Sequence, residues 1–186
     1  MKILIIYGTA EGQTQKIARF MANILMEEGH QTETANAAEN PPSPERFDAI
    51  LIGSSIHLNK YKSSIKTYIK ENVATLNQKS TGFFSVSLAM ASSNIEEHEE
   101  VKGITKSFLT KTNWNPDHIY YMAGALKFTK YDYLKKMTMR TIAKKERPGV
   151  EIDINSNYEY SDWKKIEAQT LNFNKSLQKL KFHGQT

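Results

Sequence analysis

Cysteine is absent from this 186-residue chain. That removes disulfides, thiolate-held metals and a cysteine nucleophile at a stroke, and it suits a reducing cytoplasm. No apolar run approaches the ~20 residues that would cross a bilayer, so a membrane could be touched but is not expected to be spanned. The opening Met1-Lys2-Ile3-Leu4-Ile5-Ile6-Tyr7 meets Gly8 at once and is too short for a secretory leader. His30, His98, His118 and His183 are scattered without metal-ligand spacing, so no metal site is expected. Internal repeats and low-complexity tracts are missing too. What remains, at 39% apolar and 24% charged residues, is the composition of an ordinary globular domain.

Short apolar runs alternate with helical patterns, which is the signature of βαβ units in a parallel sheet. Strands are expected at Lys2–Tyr7, Gln31–Ala35 (weakly), Ala49–Gly53, Gly82–Ser87 and Ile119–Ala125. Helices are expected at about Gln13–Glu28, Ser63–Leu76 and Glu96–Lys111, with apolar residues such as Ile17, Met21, Ile24 and Leu25 on one face and Gly29 as a stop. A last helix is expected to start near Ser161 as its N-cap and to bury Trp163, Ile166, Phe173, Leu177 and Leu180. Three of the strands read as continuous apolar runs, as strands covered on both faces do. The fold class expected is α/β: a doubly wound five-stranded parallel sheet of order 2-1-3-4-5, helices on both faces, in a single domain over 1–186.

The first strand–helix turn reads Gly8-Thr9-Ala10-Glu11-Gly12-Gln13-Thr14. A helix N-terminus offers unpaired N–H groups and partial positive charge, which suits a phosphate. Gly12 lets the backbone come close, and Thr9 and Thr14 add hydroxyl donors. No lysine follows the second glycine, so this is not the loop of nucleotide triphosphatases, and Gly-x-Gly-x-x-Gly fails as well. A monophosphate held by amides and hydroxyls alone points to FMN, with Thr9, Ala10, Glu11, Gly12, Gln13 and Thr14 around it. In a sheet of this order the ligand lies where the strand order reverses, beyond the carboxyl ends of strands one and three. That adds Ser54, Ser55, Ile56, His57 and Tyr61 after strand three. Ser85, Val86, Ser87, Leu88 and Ala89, at the end of strand four, close the other side.

Thr9-Ala10-Glu11-Gly12-Gln13-Thr14 resembles the flavodoxin phosphate loop. More narrowly, the chain is similar throughout to the flavodoxin-like, quinone-dependent protoporphyrinogen IX dehydrogenases of bacteria. The likeness is carried by Ile52-Gly53-Ser54-Ser55-Ile56-His57, Phe84-Ser85-Val86-Ser87-Leu88, and Phe108-Leu109 with Trp114-Asn115-Pro116-Asp117. Ala123-Gly124-Ala125-Leu126-Lys127-Phe128 and Tyr160-Ser161-Asp162-Trp163 continue it. The resemblance implies an FMN enzyme of haem biosynthesis that oxidises protoporphyrinogen IX and passes the electrons to a respiratory quinone, menaquinone or ubiquinone. It implies a peripheral place on the cytoplasmic face of the inner membrane, and a homo-oligomer is left open. The flavin carries the electron chemistry, so no dedicated catalytic residue is assigned. His57, an imidazole beside the expected flavin, is the one candidate for proton exchange. Two other readings stand beside this one: a flavodoxin-type electron carrier, and a flavodoxin-like NAD(P)H-quinone reductase.

Charge singles out one more segment. Between Leu126 and Gly149 eight basic residues face only Asp132 and Glu146, a net +6 that leaves about −1 for the rest of the +5 chain. This insertion, residues 126–150, interleaves its cations with Tyr131, Tyr133, Leu134, Met137, Met139 and Ile142. Lys127, Lys130, Tyr131, Lys135 and Arg140 are expected to touch substrate propionates or an anionic membrane surface. A solvated segment is the plain alternative. Nucleic acid is not expected as a partner, because no recognised module accompanies the charge.

Overall fold

The computed structural model describes residues 1–127 and 157–183. Five strands form one parallel sheet: β1 (Lys2–Gly8), β2 (Gln31–Asn36), β3 (Ala49–Ser55), β4 (Ser80–Ser87) and β5 (His118–Ala123). Their order is β2-β1-β3-β4-β5, as expected for the flavodoxin-like fold. The helices are α1 (Gln13–Glu27), α2 (Ser63–Leu76), α3 (Ile95–Thr112) and α4 (Trp163–His183). Beyond β5 a short antiparallel ribbon joins β6 (Ala125–Lys127) to β7 (Asn157–Glu159).

The pleat of β1 explains its unbroken apolar run. Ile3, Ile5 and Tyr7 face one side and pack with Ile17, Met21 and Leu25 of α1 and with Ile166, Phe173 and Leu177 of α4. Leu4 and Ile6 face the other side, with Ile65, Tyr68 and Ile69 of α2 and Leu109 of α3. Both faces are covered, so alternation disappears from the sequence.

Two departures from the expected boundaries bear on the site. The fifth strand was expected to run through to Ala125 but ends at Ala123, and Gly124 separates it from β6. Ser161 does not cap α4. Asp162 does, with its carboxylate accepting from the Lys165 N–H at 3.0 Å and its carbonyl from Ile166 at 3.0 Å. Two adjacent cap-forming residues compete at this helix start, and the serine is engaged elsewhere.

Gly53 is required by packing. It pairs with Phe84 across β3 and β4, and a Cβ there would meet the Phe84 ring at 1.9 Å. Gly53→Ala is therefore expected to destabilise the fold by about 1–3 kcal/mol through overpacking, read as a lower urea midpoint at unchanged slope.

A candidate flavin cleft at the strand ends

The loops after β1, β3, β4 and β5 converge on a narrow open cleft of about 110 Å³. Thr9, Ala10, Glu11, Gln13 and Thr14 form its floor; Ser55, Ile56 and His57 form one wall, and Val86, Ser87 and Leu88 another. Gly124 and Ala125, which the sequence reading did not place in the site, complete the lining. Among the described residues no lysine or arginine lines the cleft.

The floor is shaped by Gly12, whose φ of +92° is left-handed and needs a glycine. Thr9 Oγ1 accepts from the Gly12 N–H at 2.8 Å, which folds the loop and leaves the threonine's own proton free to donate. Helix α1 starts here without a side-chain cap, so its first amides face the cleft floor unclaimed by any capping side chain. Thr14 is completely buried, yet its Oγ1 has no hydrogen-bond partner among the described residues. Ser55 Oγ is buried and unpartnered as well. An unpaired buried hydroxyl costs about 1–3 kcal/mol. Two of them in one cleft mark where a polar ligand group would sit, and hydroxyls beside a helix N-terminus fit a phosphomonoester. The residues present suit FMN.

A belt of hydrogen bonds ties the walls together. Ile56 N–H donates to Val86 O at 2.9 Å, Gly124 N–H to Ser87 O at 3.1 Å, and Tyr160 N–H to Gly124 O at 3.1 Å. The belt closes through Ser161, whose hydroxyl donates to Ala123 O at 2.8 Å and accepts from Gln13 Nε2 at 2.9 Å. The serine's one proton goes to the carbonyl, so the Gln13 amide must turn its nitrogen toward Ser161. Lys16 reinforces the junction, pairing with Glu159 at 2.6 Å and lying 4.9 Å over the Trp163 ring.

Several residues expected near the cofactor lie behind the cleft. Ser54 and Ser85 are fully buried beneath it. Ser54 Oγ accepts from the Lys62 N–H at 3.2 Å. Ala89 belongs to the 3-10 turn after β4, its N–H donating to Ser87 Oγ at 3.3 Å. Tyr61 does not line the cleft. The chain reverses at Leu58-Asn59 and turns the ring inward against Phe83 and Phe108, with its hydroxyl 2.8 Å from Ser85 Oγ and 2.6 Å from Thr105 Oγ1. Lys130, Tyr131, Lys135 and Arg140 lie outside the described residues, as does most of the 126–150 insertion; of Lys127 only the backbone, in β6, is described.

Burial pushes the Tyr61 phenol up to about 12, offset in part by its hydrogen bonds to Ser85 and Thr105. Burial alone takes Tyr120 to about 12 and raises Tyr68 further. These folded values exceed the ordinary 10.0, so each neutral phenol's contribution is complete below pH 10 and is lost as pH climbs toward 12. An absorbance titration should show these three of the nine tyrosines still protonated at about pH 11 in the native protein and ionised at that pH in urea. Ser161→Ala opens the belt and strands the Gln13 amide. It should cost about 1 kcal/mol in urea unfolding and speed amide exchange at Gly124.

Residues 4–149 match the model of the flavodoxin-domain family. The protoporphyrinogen IX dehydrogenase (quinone) of Escherichia coli strain K12 is 31% identical over 167 residues, 89% of this chain and 91% of that protein. A Leishmania major protein of the same name is 24% identical over 92% of this chain and 74% of its own length. Among solved structures, oxidised Flavodoxin 1 from Bacillus cereus aligns with a TM-score of 0.56 at 13% identity over 94% of this chain and 98% of its own. Flavodoxin 2 from the same organism aligns at 0.55 and 16% identity over 95% and 99%. These two likenesses speak to the fold. The family model and the 31% identical relative place the chain in the flavodoxin family and, within it, in the group of the quinone-dependent protoporphyrinogen IX dehydrogenases.

Proposed function

We propose that this protein binds FMN in the cleft and oxidises protoporphyrinogen IX to protoporphyrin IX, passing the electrons to a respiratory quinone. The buried Thr14 hydroxyl, with no partner among the described residues and at the start of α1, carries the reading. The names of the relatives supply the substrate and the acceptor.

Thr9, Thr14 and the first amides of α1 would hold the phosphate. The helix dipole favours the anion, so a lining without a cation among the described residues is no obstacle to a single phosphate. Backbone at Ser55–His57, Val86–Leu88 and Gly124–Ala125 would enclose the ring and keep water from it. FMN, when bound, supplies the two-electron chemistry. His57, exposed on the lip, is the group placed to accept a proton from the reductant at its imidazole.

Among the described residues no helix is long and apolar enough to cross a membrane. We place the protein peripherally on the cytoplasmic face of the inner membrane, where a lipid-soluble quinone is within reach. Lys127, Lys130, Tyr131, Lys135 and Arg140 would meet the anionic surface or the propionates.

With FMN, protoporphyrinogen IX and a quinone under anaerobic conditions, the protein should generate porphyrin fluorescence. Thr14→Val should keep its urea midpoint while binding FMN at least about tenfold more weakly, the loss of one hydrogen bond to a charged group. Electron shuttling to a reductase without porphyrin formation would favour a carrier, and rapid flavin bleaching by NADPH a nicotinamide-fed reductase.

A further inference from the structure

The lip of the cleft holds a leucine in an unfavourable position twice over. His57 and Lys60 exchange backbone hydrogen bonds at 2.9 and 3.1 Å, and the two residues between them are both left-handed, Leu58 at φ +48° and Asn59 at φ +58°. This is the turn that Asn-Gly or Gly-Gly makes without strain; a leucine pays a steric penalty there. The same side chain is 82% exposed. The turn is braced, because Asn59 Nδ2 donates to Glu100 Oε1 on α3 at 3.2 Å. A braced, strained and solvated leucine gains nothing in the isolated fold, and such outliers gather at binding sites.

Its neighbours indicate what would cover it. His57 lines the cleft, so the turn stands on the rim. The residues that line the cleft are those assigned to the cofactor, so a large second reactant reaches a bound ring across the mouth and over the lip. Lys60, two residues on, is exposed and has no ion-pair partner among the described residues. An apolar tooth beside an unpaired cation complements a broad apolar ring system that carries carboxylates. A quinone, being neutral, leaves the cation unused.

We propose that the His57–Lys60 turn is a specificity lip for the reducing substrate, with Leu58 packing on the apolar macrocycle and Lys60 pairing with one of its carboxylates. The proposal rests on the function proposed above.

Leu58→Asn and Leu58→Gly both accept left-handed backbone, so folding is not at risk. Each should leave thermal stability unchanged or higher and FMN affinity unaltered. Each should raise the KM for protoporphyrinogen, and the Kd for protoporphyrin IX by fluorescence titration, about fivefold to tenfold, while the quinone KM stays within about twofold. Lys60→Gln should weaken the diacid about threefold and leave binding of its dimethyl ester unchanged, as expected for one exposed ion pair. Variants that bind both porphyrin forms as the wild type does, or that shift only the quinone KM, would overturn the lip while leaving the function standing. A wild type that neither binds protoporphyrin nor oxidises the porphyrinogen would remove both readings.

Discussion

Parallel pairing imposes the constraint from which the site follows. Five strands pointing one way put all their carboxyl ends at one edge, so the loops that follow them have to meet there. Their convergence would leave a loose collection of turns were it not for the hydrogen-bond belt through Ile56, Val86, Ser87, Gly124, Tyr160, Ser161 and Gln13. Each bond is modest in isolation, on the order of 1 kcal/mol. Together they join segments as far apart in the chain as residues 13 and 161, and they fix the distance between floor and walls before any ligand arrives. Preorganisation of this kind lowers what binding has to spend on ordering.

The sheet and its helices were legible in the sequence for a physical reason. A strand covered on both faces is buried along nearly its whole length, and the apolar runs Ile3–Tyr7 of β1 and Ala49–Ile52 of β3 announce it, while β4 shows it at Phe83, Phe84 and Val86 between buried small polar residues. The loop that forms the cleft floor was legible because Thr9, Gly12 and Thr14 combine donors with backbone freedom at a helix start. Tyr61 was hidden by its turn. Leu-Asn gives no turn signal, so nothing in the chain announces that the ring swings inward to Ser85 and Thr105. Gly124 and Ala125 were absorbed into an expected longer strand, although the break at Gly124 is what brings them to the cleft. The β6–β7 ribbon, three residues on each side, is too short for any periodicity to register.

The chemistry of the floor also sets what it would accept. Hydroxyls and amides can satisfy the oxygens of one phosphate, while a di- or triphosphate brings charge that this lining, with Glu11 in it, would not balance. Discrimination would thus begin with the number of charges a ligand carries. The cations lie elsewhere in the sequence: the basic run begins at Lys127, two residues beyond Ala125 of the cleft wall.

The ribbon beyond β5 has an architectural consequence. Ala125 pairs with Glu159 and Lys127 with Asn157, so two segments separated by nearly thirty residues in the sequence are held side by side. Among the described residues, the five-stranded sheet takes its pairing from those between Lys2 and Ala123 alone. A change in the number of residues between Lys127 and Asn157 would thus leave those strand pairings as they are, with the ribbon clamping the two ends of the altered stretch together.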